Sequence, residues 1–356
     1  MNETQWRRRD LDLGKTVAVL LVVLGHLVAR QDPAGIGGPG GWCAAWYEPL
    51  RATLYTFHVP FLFYLSGTAA GWSGAAFLRG GAYRGMLGRR AARWLLPALL
   101  LGFCILVCKW LAEGWLAVDH PPASLWSGLL HLVWQTGQSP AQSVWYLFVL
   151  FSYAALVPPL LGLCGGRVAL AGLLALALMP WRLLPDALPP VLYADRILLY
   201  LPFYLAGILA ARHDEAWCGF LDRRRPLLLG LFLLTFAVCL GAAESGWLGK
   251  PERPALLLGM GLIAIPALHA GVRRLPLGLL ALLDWLRPSA FAIYLLNTIF
   301  IGLAKALLLL LIPWQAQWFP LFVPCLMVAG VLGPLGCHRL FRPGRPRARA
   351  PTELVS

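Results

Sequence analysis

Long apolar runs, separated by short polar and basic stretches, recur from one end of this 356-residue chain to the other. A run of about twenty apolar residues is what an α-helix needs to cross the hydrocarbon core of a bilayer. Inside that core a helix is favoured because it satisfies its own backbone hydrogen bonds. Ten such segments are predicted, over residues 14–31, 52–72, 92–112, 143–163, 167–184, 197–211, 226–243, 254–271, 289–312 and 317–338. The fifth and sixth are short and flanked by polar residues. The stretch SLWSGLLHLVWQ (124–135) is too short to span and reads as an interfacial or re-entrant helix. The predicted fold class is an all-α polytopic membrane protein of about ten transmembrane helices.

Composition agrees. The chain is 59% hydrophobic and 13% charged, about half the charged share of a soluble domain. Its net charge of +14 would suit nucleic acid if it lay on one folded soluble face, but it is scattered in short clusters between apolar runs, and no segment is long enough to build such a face. Those clusters are topology signals. With the N-terminus in the cytoplasm, 22 of the 30 Lys and Arg lie on the cytoplasmic side. Arg30, Arg51, Lys109, Arg182, Arg196, Lys250, Arg253 and Lys305 fall on the other side or at outer helix ends. This split over short loops predicts an even number of spans with both termini cytoplasmic. No cleavage site follows the first apolar run, so it reads as a span. Trp42, Trp46, Trp115, Trp126, Trp247, Trp314 and Trp318 read as interface anchors at outer span ends. The basic, Pro-rich residues 341–356 read as a disordered cytoplasmic tail held near anionic headgroups. The eight cysteines have no metal-ligand spacing and read as small buried apolar side chains.

The candidate chemistry lies in ionisable residues inside the apolar runs. In DLDLGKTVAVLLVVLGHLVAR (10–30), Lys15 and His26 are eleven residues apart. Eleven steps of about 100° return to within roughly 20° of the same face, about 16 Å along the axis. Asp12 lies near that stripe, three residues before Lys15, within reach of pairing with it. In FHVPFLFYLSGTAAGW (57–72), His58 enters from the outer side to a depth similar to that of His26. No third ligand accompanies the two histidines, so proton transfer suits them better than a metal, and no metal is expected. Pro60 is placed to kink this span, and Ser66-Gly67 forms a notch for close approach of another helix or a bound chain. Intramembrane ionisable residues usually face a cavity or pathway, although His26 bonded to a neighbouring helix and a snorkelling Lys15 would also account for the pattern. His269 and Lys305 read as core and snorkelling residues, Asp284, Trp285 and Arg287 as an interfacial helix, and Glu113, Asp119 and His120 as solvated loop.

These motifs resemble the bacterial membrane acyltransferase family known as type 3, and within it the fucose O-acetylases of the nodulation-factor kind. The family opens with a basic residue, ten others and a His, matched by Lys15 and His26. Its second span is matched at Phe57, His58, Pro60, Phe63, Ser66 and Gly67, and a WYL motif at Trp145, Tyr146 and Leu147. LPFYLAGIL (201–209) and PSAFAIYLLN (288–297) resemble its sixth span and a late span. Asn297 stands where many relatives have His; Asn hydrogen-bonds but takes up no proton near neutral pH. The resemblance implies one transmembrane acyltransferase-like domain over 1–340, in a bacterial cytoplasmic membrane. It would transfer an acyl group, most often acetyl, from cytosolic acyl-CoA to a carbohydrate hydroxyl, on a cell-surface glycan or a lipid-linked sugar. The implied catalytic residues are His26, as general base or transient acyl carrier, and His58, orienting it or binding the acceptor. Implied contacts to substrate or acyl-CoA are Lys15, Asp12, Ser66, Trp145, Tyr294, Asn297, Arg90 and Arg93, the last two in a basic rim with Arg84 and Arg89. The competing reading is a transporter or flippase for a sugar-linked lipid or small solute, which predicts pseudo-repeats that the hydropathy does not show. A catalytically silent membrane scaffold or sensor, mildly favoured by Asn297, is a third.

Overall fold

The apolar runs do become helices. The computed structural model describes residues 3–27, 42–112, 122–179, 191–245, 253–312 and 318–341. Its α-helices are α1 (Glu3–His26), α2 (Trp42–Tyr55), α3 (His58–Trp72), α4 (Gly80–Arg90), α5 (Leu96–Ala112), α6 (Leu125–Val133) and α7 (Trp145–Leu163). They continue as α8 (Val168–Leu178), α9 (Ala194–Arg212), α10 (Asp214–Glu244), α11 (Arg253–Val272), α12 (Leu277–Leu286), α13 (Ala290–Leu311) and α14 (Phe319–Phe341). Among the described residues six helical runs are long and apolar enough to cross a membrane: Gly80–Leu111, Gln142–Leu163, Ala194–Arg212, Asp214–Glu244, Leu277–Leu311 and Phe319–Phe341. Val168–Leu178 and Leu256–Val272 are apolar but shorter. Broad apolar faces, such as Leu227, Leu233 and Leu234 on α10 and Leu303, Leu307 and Leu310 on α13, are exposed, as suits surfaces that lipid solvates. Glu113, Trp115, Asp119, His120, Trp247 and Trp314, and the tail beyond Phe341, lie outside the described residues.

Several predicted boundaries move. The second span does not run unbroken from 52. α2 ends at Tyr55, and α3 starts afresh at His58 behind the non-helical Phe57 (φ −135°). Pro60 is the cause. It stands at the third residue of α3, in the first turn, where a missing N–H breaks no helical bond. It therefore opens a helix instead of kinking one. The third predicted span begins earlier, at Gly80, and carries a π-helical turn over Ala91–Leu95. Arg84, Arg89, Arg90 and Arg93 thus project from helix and not from a loop. Cys104 and Cys108 are exposed on α5, not buried, among lipid-facing Leu100 and Phe103. The stretch 124–135 forms the nine-residue α6, capped by Ser124, whose side chain accepts from the Ser127 backbone N–H.

The centre of the bundle is the crossing of α3 with α9. A Cβ built on Gly67 would lie 1.9 Å from the Tyr204 carbonyl oxygen, and one built on Gly207 would lie 2.0 Å from that of Tyr64. Each backbone therefore rests directly on the other, the close approach that small residues permit between membrane helices. The Ser66-Gly67 notch is filled by α9. Around the crossing, Phe61, Phe63, Tyr64, Tyr153, Phe203 and Tyr204 are almost wholly buried. α1 packs against α3 and α13, and α13 against α14.

Ion pairs tie one end of the bundle. Arg273 joins Asp10 of α1 and Asp222 of α10, each at 2.9 Å. Arg9 bonds Asp284 of α12. Burial pushes the Asp10 carboxyl above its ordinary value against the pull of Arg273.

Replacing Gly67 with Leu forces the two backbones apart, an overpacking expected to cost about 3 kcal/mol. Gly230 on α10 has nothing within 4 Å of its Cβ position. Gly67→Leu should lose the monodisperse peak in fluorescence-detected size exclusion, whereas Gly230→Leu should keep it. Equal behaviour of the two variants would contradict this packing.

Candidate active site

α1 ends at His26, and α13 brings Asn297 to meet it. His26 Nδ1 and Asn297 Oδ1 are 2.9 Å apart. The amide orientation follows from its other bonds: Asn297 Nδ2 donates to the carbonyls of Ile293 (3.0 Å) and Tyr294 (2.6 Å). The atom left facing the ring is the oxygen, which only accepts. His26 must therefore donate from Nδ1–H, and Nε2 carries the lone pair. The neutral imidazole is fixed in one tautomer and one orientation, and among the described residues nothing bonds its basic nitrogen. Asn297 is 1% exposed, while His26 keeps accessible surface deep among the helices. Such a ring can take up a proton at Nε2.

His58 lies close enough to bear electrostatically on His26, but no hydrogen bond joins the two imidazoles among the described residues. Its Nδ1–H donates to the Leu54 carbonyl at 2.6 Å, an oxygen that also accepts the Phe57 N–H at 3.2 Å where α2 ends. The edge of Tyr55 packs against the ring, centroid to centroid 4.8 Å. His58 is 1% exposed. Sequence reasoning paired the histidines by depth; here His58 also closes the break between α2 and α3.

Deeper in the bundle, Ser66 Oγ lies 2.8 Å from the Tyr146 hydroxyl, which is also 3.3 Å from the Leu62 carbonyl. The Tyr146 ring meets Tyr294 edge-on at 5.5 Å, and the Tyr294 hydroxyl donates to the Ser143 carbonyl at 3.1 Å. Trp145 stacks near Phe63 and Tyr200 and lies beneath the guanidinium of Arg196. Tyr146 and Arg196 were not among the predicted site residues. Tyr146 could have been read from its place in the WYL motif, but nothing near Arg196 in the sequence marked it.

At the other end of α1, Arg93 is near enough to act on the Lys15 ammonium. Arg90 is near enough to act on the Tyr204 hydroxyl electrostatically and covers the Trp94 ring at 4.9 Å. Three predicted residues, Lys15, Arg90 and Arg93, thus share one neighbourhood, the two arginines presented on either side of the start of the π-helical turn. Asp12 also acts on the Lys15 ammonium, although three helical steps of about 100° set it some 60° off the Lys15 stripe, and its exposed carboxylate lies 4.0 Å from Arg287.

A cavity of about 410 Å³ lies elsewhere, between α9, α10 and α11, with Tyr64, Ala206, His213, Trp217, Leu262 and Pro266 in its apolar walls. Behind it, His269 Nδ1 lies 2.8 Å from the Tyr64 hydroxyl, which accepts from Trp217 Nε1 at 2.7 Å. His269 is a hydrogen-bonded core residue, as its sequence context suggested. Among the described residues no three His, Cys, Asp or Glu side chains gather to hold a metal.

A family model described as "Acyltransferase domain" matches residues 8–339. The chain is similar to "Nodulation protein NolL" of Mesorhizobium japonicum, 27% identical over 237 residues. That alignment covers 65% of this chain and 56% of the relative. No solved structure matches the chain.

The fixed tautomer is measurable. In protein labelled with ¹⁵N-imidazole, His26 Nε2 should resonate as an unprotonated nitrogen and Nδ1 as a protonated one. Asn297→Leu removes the acceptor and should produce a mixture of tautomers. Identical His26 spectra in the two proteins would rule the assignment out.

Proposed function

Since the chain belongs to the acyltransferase family whose model spans residues 8–339, we propose that it is a multi-pass O-acyltransferase. It moves an acyl group, acetyl in the reading favoured here, from acyl-CoA to a hydroxyl of a cell-surface or lipid-linked carbohydrate. It sits in a bacterial cytoplasmic membrane with ten spans and both termini cytoplasmic. The charge split along the sequence supports that orientation, and residues 1–340 act as one domain. The His26–Asn297 hydrogen bond carries the reading, because it leaves a lone pair where a hydroxyl proton must go.

The donor is polyanionic and arrives from the cytosol. Lys15, Arg90 and Arg93 lie at the cytoplasmic mouth in this orientation and attract its phosphates. By helix rise, Lys15 lies about 16 Å from His26, so a long flexible arm such as pantetheine is needed to carry the thioester inward. As the acceptor oxygen attacks the thioester carbon, its proton passes to His26 Nε2. The carbon–sulfur bond then breaks, and the imidazolium returns the proton to the departing thiolate. Asn297 holds the ring as the third member of a nucleophile–base–orienter set does, so an amide suffices where relatives carry His. His58 acts as a positioning residue. Ser66, Trp145 and Tyr294 line the acceptor's path, with Tyr146 holding Ser66.

Inside-out membrane vesicles supplied with radiolabelled acetyl-CoA should transfer label to glycan. His26→Ala, at normal membrane level, should lower the rate by about 10²–10⁴-fold. Solute flux without labelled glycan would favour the transport reading, and full transfer by His26→Ala would defeat the base assignment.

A further inference from the structure

The chemistry above leaves Arg196 without a task. This residue lies in the first turn of α9. Its guanidinium sits 4.5 Å from the Trp145 ring centroid and 5.1 Å from that of Tyr193. Nη2 donates to Gln142 Oε1 at 2.9 Å. All three partners are neutral, since burial pushes the Tyr193 phenol above its ordinary value and keeps it protonated. Among the described residues no carboxylate pairs with Arg196, its sequence neighbour Asp195 included. The side chain is only partly buried and lies close enough to Tyr294 to act on its hydroxyl electrostatically.

Structural explanations for this cation are weak. In the proposed orientation Arg196 is one of the few basic residues away from the cytoplasmic side, so topology does not require it. In the first turn of a helix the macrodipole opposes a positive charge. The position is nonetheless firmly built. Leu192 and Tyr193 both have positive φ, 52° and 53°, an uncommon conformation for side chains of this bulk. They are pinned by the Leu192 N–H on the Trp134 carbonyl (2.9 Å) and the Tyr193 N–H on Thr136 Oγ1 (2.6 Å). The Tyr193 ring is thereby set against the guanidinium.

We propose that Arg196 binds an anionic group of the acceptor, a carboxylate or a phosphate, so that the protein selects acidic over neutral carbohydrates. This rests on the acyl-transfer reading for the hydroxyl-bearing substrate and adds the charge that substrate must carry. With one N–H spent on Gln142, the planar guanidinium keeps further donors for an oxyanion, and the flanking rings hold its plane. The donor's phosphates meet Lys15, Arg90 and Arg93 at the opposite end of the bundle.

The test is direct binding to the purified full chain, read without turnover. Two pairs of probes differ only in charge: a glucuronate trisaccharide against its carboxyl-reduced form, and a farnesyl-phosphate-linked monosaccharide against the uncharged farnesyl glycoside. One anionic probe should bind about ten- to a hundredfold more tightly than its neutral partner. The pair that discriminates distinguishes carboxylate from phosphate. Arg196→Gln should bring that ratio close to one, and Arg196→Lys, which keeps the charge but loses the fork, should hold an intermediate value. Because the ratio is internal to each variant, a general loss of folded protein does not imitate the effect. A ratio near one for both pairs in the native chain, or a preference that survives Arg196→Gln, overturns the proposal. Absence of label transfer in vesicles would instead count against the enzymatic reading.

Discussion

A polar atom carried into a bilayer must find its partner inside the protein, because lipid offers none. That constraint accounts for the interior. His26 is bonded to Asn297, His58 to the end of α2, Ser66 to Tyr146, and His269 to Tyr64. Each bond joins different helices, so the polar groups that chemistry requires also set how the helices are arranged. The faces left over are apolar and turn outward to lipid.

The glycine crossing of α3 and α9 makes this interior compact. With the two backbones in contact at Gly67 and Gly207, the side chains on either side are forced into shared layers. His58 sits at one end of α3 beside His26. Ser66, next to Gly67, meets Tyr146. Tyr204, whose carbonyl covers Gly67, has its hydroxyl within electrostatic reach of Arg90. α3 therefore links the imidazole layer, the tyrosine layer and the basic mouth through one rigid element. A bulkier residue at the crossing would disturb all three layers together.

The two ends of the interior carry cations in different settings. Arg273 and Arg9 are paired with carboxylates and fasten helix ends. Lys15, Arg90, Arg93 and Arg196 lack such pairing among the described residues, and each keeps some accessible surface. Paired charges are accounted for by structure. Unpaired ones, such as Arg196 beside two rings and an amide, retain donors for a ligand.

The sequence by itself determined which segments are apolar and helical, that Lys15 and His26 share a face, and that His58 begins a motif beside Ser66 and Gly67. These are properties of local composition and of the helical repeat, which act over a few turns. It did not reveal that Pro60 starts a helix, since that depends on where the preceding helix stops. Asp12, besides acting on Lys15, reaches Arg287, a partner far along the chain. Asn297, in place of the His of many relatives, left open whether that position carries a proton or orients a partner. Its role became legible only with its partner 271 residues away, because the tautomer of an imidazole is set by whatever faces its other nitrogen. Arg196 carried no motif at all. Its meaning comes from the neutral rings and amide that the fold gathers around it, and tertiary structure alone decides what surrounds a charge.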